Sequence, residues 1–263
     1  MTALAVPAGR RGGFLHDLMT VARRSLRGIL REPASVIPAL IIPVFFYVVF
    51  VGSLTTVAEA AGGFDYEAFQ LPVAIIFAVT GVSRANALVA DIASGYFERL
   101  LLSPISRAAL LLGLMVADFA LVVALCIPVL ILGAVIGVGF ETGPAGIVAF
   151  VLLAAVWGVA FTGFPYAIAL RTGNPAAVAA SFILFFPFAF LTTALVPAEA
   201  LTGWLATVAD FNPVSYVLAA LRSLVMTGWD AEALAQGIGA ICLVGATSLG
   251  LAVLALRRRV RVP

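Results

Sequence analysis

The chain has 263 residues, of which 63% are hydrophobic and 11% charged. Soluble domains run at about 45–50% and about 25%, so this chain lacks the polar side chains to cover a water-facing surface and reads as an all-α integral membrane protein. Its 15 basic residues are all arginine, and without a lysine there is no Walker A phosphate loop. One histidine (His16) and two cysteines in apolar runs (Cys126, Cys242) exclude a His/Cys metal cluster or a disulfide framework.

Before the first long apolar run, Phe14, Leu18, Val21, Ala22, Leu26 and Ile29 recur at helical spacing, with Arg23, Arg24, Arg27 and Arg31 between them. This predicts an amphipathic helix in the membrane interface, its arginines towards anionic headgroups. Residues 1–30 are too charged for a cleavable signal peptide.

Six apolar runs then follow, near 34–54, 70–92, 108–134, 144–170, 176–196 and 236–256, each close to the ~20 residues that cross a bilayer as a helix. Nothing alternates with period two, so an outer-membrane barrel does not fit. Thirteen arginines fall at the N-terminus, in the second-to-third and fourth-to-fifth connections and in the tail, whereas the opposite loops hold only Arg222. By the positive-inside rule both termini are cytoplasmic. The chain divides into a cytoplasmic segment 1–33, a six-span domain 34–256 and a basic tail 257–263. The longest external connection, 197–235, carries two short helical patterns broken at Phe211-Asn212-Pro213 and is expected to dip into the outer interface as re-entrant helices.

Two ionisable residues lie inside the runs, Arg84 in the second and Asp118 in the third. Both sit roughly 12–15 Å from the cytoplasmic ends, so an ion pair between consecutive helices is expected. Two roles stand open for it, an interhelical clamp and a gate or proton relay. Pro43, Pro128 and Pro187 fall within runs, and phenylalanines crowd the fifth. Small-residue steps at Ala154, Gly158 and Thr162, and at Ala246 and Gly250, would allow close helix crossings. No catalytic or metal-ligating constellation is present.

The cytoplasmic connection 91–107, DIASGYFERLLLSPISR, mixes charge with apolar side chains that a plain polar loop would not need. Such a segment suits docking to a partner or to headgroups. The run ADIASGYFERLLLSPISRAALLLG resembles the segment between the second and third spans of type-2 ABC export permeases, in the branch of the daunorubicin-resistance permeases. LRGILREPASVIPALIIPVFFYVVF resembles that family's entry into its first span. The stretch from LRTGNPAAV to LAALRSLV resembles its fifth span, outer re-entrant helices and Asn-Pro turn.

The resemblance implies a bacterial plasma-membrane permease subunit that dimerises with itself or a paralogue and pairs with two copies of a separate ABC ATPase. ATP and Mg would be bound by that partner, with no cofactor in this chain. Energy coupling would pass through Phe97, Glu98, Arg99, Leu101, Leu102, Ser103, Pro104 and Arg107. The cargo would be a hydrophobic or amphiphilic drug, antibiotic or lipid. Membrane lipid is the other expected contact, and no nucleic-acid partner is expected. The competing reading is an ion-coupled secondary transporter with Asp118 as its proton site.

Overall fold

The structure is a computed structural model that describes residues 13–31, 33–62, 64–102 and 106–259. Among these, every regular element is helical, because a backbone in lipid must satisfy its own hydrogen bonds. In chain order they are α1 (Phe14–Arg31), α2 (Pro33–Gly62), α3 (Tyr66–Thr80), α4 (Ala85–Ala93), α5 (Tyr96–Leu102), α6 (Arg107–Ile136), α7 (Gly143–Thr172), α8 (Pro175–Phe190), α9 (Gly203–Phe211), α10 (Pro213–Arg222) and α11 (Ala231–Arg259).

Five paths are long and apolar enough to cross a membrane: Ile37–Ala58, Tyr66–Ala93, Arg107–Ile136, Gly143–Thr172 and Ala231–Arg259. They coincide with five of the six predicted runs. The remaining run is shorter than expected, since α8 stops at Phe190 after 16 residues. Helix α9 and the run Pro213–Thr227, which is α10 continued by a π-helical turn at Ser223–Thr227, together pass the same length test, but they bend by 82° at their junction. Asn212 makes that corner, its Oδ1 accepting from the Val214 N–H at 3.0 Å while Pro213 opens α10. The same Asn-Pro pairing starts α8, where Asn174 Oδ1 accepts from the Ala176 N–H at 2.9 Å. Gly137 (φ 113°) and Gly173 (φ 58°) end α6 and α7 in the left-handed region that favours glycine.

The tightest helix pair is α7 with α11. A Cβ on Gly163 would collide with the Ser248 backbone, and the Ser248 hydroxyl donates to the Ala160 carbonyl. Gly158 approaches α6, where a Cβ would stand 2.9 Å from Val122 Cγ2. Ala246 and Gly250 lie on the exposed face of α11, so the close approach on that helix falls at Ser248 instead. One core gathers around Tyr47, Ile75, Phe150, Trp157 and Leu221. A second, around Val21, Leu88, Phe97, Leu110, Tyr166 and Leu256, joins α1 and α5 to the arginine-rich ends of the long helices.

Helix α1 packs along the first turns of α6. A Cβ on Gly113 would stand 2.7 Å from Val21 Cβ, so glycine there allows the helices to touch. Val21, Ala22 and Ser25 are buried, while Arg23 and Arg27 face outwards.

Candidate functional site

The second apolar run is two helices, not one. Helix α3 ends at Thr80, and residues 81–84 separate it from α4. A helix start leaves backbone N–H groups without intrahelical partners, and here the partner comes from another helix. The Arg84 N–H donates to Asp118 Oδ1 at 2.9 Å. Asp118 also accepts the Tyr166 hydroxyl on Oδ2 at 2.5 Å. A carboxylate at a helix N-terminus is favoured by the helix dipole, so α6 and α7 together cap α4 at a fully buried point. The structure therefore brings Arg84 and Asp118 together through the Arg84 backbone. The Arg84 side chain runs towards α1, where a Cβ on Gly28 would stand 2.7 Å from Nη2.

The arginine-rich end of the bundle is assembled around α5. Phe97 is buried in the core it shares with α1, α4 and α6, and Leu101 is half-buried. Leu102 is 88% exposed, and Arg99 and Arg107 are exposed. Ser103 and Pro104 lie outside the described residues. Two elements hold the segment. From α1, Arg24 grips Asp91 with two bonds (Nη1 to Oδ2 2.8 Å, Nη2 to Oδ1 2.6 Å) and lies 4.2 Å from the Tyr96 ring centroid. The hydrogen bond to Asp91 raises the Arg24 guanidinium above its ordinary pKa. Also from α1, Asp17 Oδ2 accepts from the Ser106 N–H at 3.3 Å. From the end of α11, Arg259 donates to Glu98 Oε1 at 3.3 Å and to the Leu170 carbonyl at 3.0 Å.

At the opposite end, the chain after α8 leaves helical geometry, and side chains from elsewhere take its carbonyls. Arg222 donates to Thr193 Oγ1 (3.0 Å), to the Thr193 carbonyl (2.8 Å) and to the Phe69 carbonyl (3.1 Å). Gln70 donates to Ala194 at 3.1 Å, and Tyr66 to Leu195 at 3.1 Å. Asn212 Nδ2 donates to Phe188 and Leu191 at 2.6 and 2.8 Å. Arg222 is 8% exposed, with its guanidinium 3.4 Å from the Phe69 ring centroid. Irregular backbone survives at membrane depth only when satisfied in this way.

Sequence reasoning missed Tyr166, whose position in an apolar run gives no sign of a carboxylate partner. It placed Arg222 on the second helical pattern of the connection 197–235, where the structure has α10, but gave it no bonding role. The polar pair Thr192-Thr193 closing the fifth run is the one signal that points to the cage around it.

The sequence profile of ABC-2 type transporters matches residues 16–226. The chain is 27% identical over 218 residues to the daunorubicin resistance ABC transporter permease protein DrrB1 of Streptomyces coeruleorubidus, covering 82% of this chain and 77% of that protein. It is 27% identical over 219 residues to the probable doxorubicin resistance ABC transporter permease protein DrrC of Mycobacterium tuberculosis, covering 82% and 79%. A putative transport permease, ycf38, of Cyanophora paradoxa is 23% identical over 217 residues, covering 80% and 74%. With its apolar helices and a profile match over most of its length, the chain belongs to the ABC-2 type transporter family, as a membrane subunit and not the ATPase.

Proposed function

We propose that this subunit works in an ATP-driven exporter that moves a hydrophobic or amphiphilic compound out of the cell. Two relatives named for daunorubicin and doxorubicin resistance support a drug or antibiotic as cargo. Both termini are cytoplasmic in this reading, by the arginine distribution. Two permease chains, identical or paralogous, pair with two copies of a separate ABC ATPase, which binds ATP and Mg.

The observation that carries the reading is the construction of α5. It is a short helix between α4 and the 30-residue α6, with Phe97 anchored in the core and Leu102 standing 88% exposed. Arg24 and Arg259 tie its surroundings to α1 and α11. A push on its exposed face would therefore reach α4, α6, α7 and α11 together. Arg99 and Arg107, both exposed, extend that face towards the ATPase. Asp118 acts as the pin of the α3–α4 break. With both oxygens committed to Arg84 and Tyr166, it suits a clamp better than the proton site of a secondary transporter.

The test is co-reconstitution with the cognate ATPase in liposomes, with efflux of an anthracycline followed as its fluorescence. Export that needs ATP and is insensitive to protonophores supports the proposal. Export driven by a proton gradient without ATP overturns it.

A further inference from the structure

A groove of about 550 Å³ lies between α7, α8 and α11, within the range of ordinary small-molecule sites. Its α7 wall runs from Trp157 to Arg171, and its α11 wall from Val244 to Arg258, about 21 Å of helix on each side. Between these ends the lining is aromatic and aliphatic. Ser181 is its one uncharged polar side chain, and that hydroxyl already donates to the Val178 carbonyl at 2.6 Å. Pro213 and Val214 close the far end at the foot of α10.

The two charges on the groove, Arg171 and Arg258, stand together at the arginine-rich end, and no carboxylate lines it. Among the described residues neither guanidinium makes an ion pair or a hydrogen bond. A long apolar slot with two open cations at one mouth is complementary to a long apolar chain with an anionic head. We propose that the groove holds an acyl chain of an anionic glycerophospholipid, with its phosphate between Arg171 and Arg258.

A second copy of this chain does not suit the mouth. Turned about an axis along the membrane normal, it would bring the same arginine-rich end to that level, where Asp17, Asp91 and Glu98 are already engaged by Ser106, Arg24 and Arg259. The leaflet concerned is the cytoplasmic one if the orientation proposed above holds, whereas binding itself needs no orientation and no ATPase.

The purified, delipidated full-length chain is titrated with phosphatidylglycerol and with phosphatidylcholine of the same acyl chains, and bound lipid is counted by native mass spectrometry. One phosphatidylglycerol per chain is expected. Each arginine at headgroup level contributes about fivefold, so the preference over phosphatidylcholine is about thirtyfold. Arg171→Gln with Arg258→Gln should abolish that preference. Arg23→Gln with Arg27→Gln, exposed arginines of α1, should leave it intact.

A second readout places the chain. With Trp204→Phe and Trp229→Phe, Trp157 is the remaining tryptophan, and phosphatidylglycerol brominated on its acyl chain should quench it more strongly than the brominated phosphatidylcholine. Equal retention of the two lipids, a preference surviving in the Arg171/Arg258 variant, an equal loss in the Arg23/Arg27 variant, or no selective quenching each overturns the proposal. A failure of ATP-driven export would leave all four readouts untouched.

Discussion

Tyr166 donates a hydrogen bond from its hydroxyl to Asp118 Oδ2 at 2.5 Å, and neither side chain has any solvent exposure. The carboxylate thereby stitches three helices at one point, because its other oxygen caps the start of α4. Asp118→Ala strands a buried N–H and a buried hydroxyl, each costing about 1–3 kcal/mol. A drop in melting temperature in detergent is expected, larger than for Tyr166→Phe, which strands nothing but one acceptor. Arg84→Gln keeps the backbone donor and should cost less than Asp118→Ala. The exchange of Arg84→Asp with Asp118→Arg should rescue nothing, since the bond is to a backbone group. A rescued melting temperature in the exchange would show a side-chain ion pair to be the dominant contact.

The sites of the long helices were legible in the hydropathy pattern because lipid demands about 20 apolar residues per crossing, and this demand writes itself directly into the sequence. Breaks in backbone geometry leave no such trace. Gly81, Val82 and Ser83 sit within an apolar run and cost its mean hydropathy little, yet α3 ends there. Arg222 illustrates the converse. Charge at the edge of an apolar region suggests solvent, but here the carbonyls of residues 69, 193 and 194 receive the guanidinium. The side chains around α5 could be guessed from their mixed character, but not the grip of Arg24 on Asp91, a contact across 67 positions.

That grip gives a direct measurement. Arg24→Gln removes both bonds to Asp91 and the contact with Tyr96, which loosens α1 from α4 and α5. Exposed ion pairs contribute little to stability, about 0–1 kcal/mol, so the variant should fold and insert normally. Substrate-stimulated hydrolysis by the partner ATPase should nevertheless fall severalfold, while Arg23→Gln, with its side chain on the outward face, changes nothing. Equal stimulation in the two variants would remove α1 from the coupling path.

Glu98 and Arg259 form a second tie that can be reversed. Glu98→Arg sets two guanidiniums against each other where an ion pair at 3.3 Å now stands. Stimulation of the ATPase should be lost with the permease still in the membrane. Adding Arg259→Glu restores the pairing in the opposite sense and should recover part of the activity, as coupled neighbours do in a double-mutant cycle. Leu102→Asp is a separate probe. The side chain is 88% exposed, so folding is unaffected, but an interface anchor is worth about 2 kcal/mol or more and co-purification of the ATPase should weaken at least tenfold.

Orientation can be read by labelling single cysteines in a background of Cys126→Ala and Cys242→Ala. Glu141 and Glu199 are exposed at one end of the bundle and Arg107 and Arg171 at the other. An impermeant maleimide added to intact cells should reach Glu141→Cys and Glu199→Cys but not Arg107→Cys or Arg171→Cys. The reverse pattern would invert the chain and with it every cytoplasmic role argued for α5.

Arg222 supports the irregular stretch after α8 together with Gln70, Tyr66 and Asn212. Its guanidinium spans the Phe69 carbonyl on α3 and both oxygens of Thr193, a reach that depends on several N–H donors fixed in one plane. Hydrogen bonds from a charged donor are worth about 1.5–3 kcal/mol each, and removing the side chain takes all of them from the Phe69 and Thr193 oxygens at once. Arg222→Met should therefore cost about 3 kcal/mol or more and lower folded yield sharply. Arg222→Lys keeps the charge, but its compact ammonium cannot bond the Phe69 carbonyl and the Thr193 pair at once, so it should recover less than half of the loss. Tyr66→Phe removes a single bond, to Leu195, and should cost about 1 kcal/mol. Melting temperatures of the purified chains in one detergent rank the three. If Arg222→Lys melts with the parent chain, charge and not the planar fork holds this end of the bundle together.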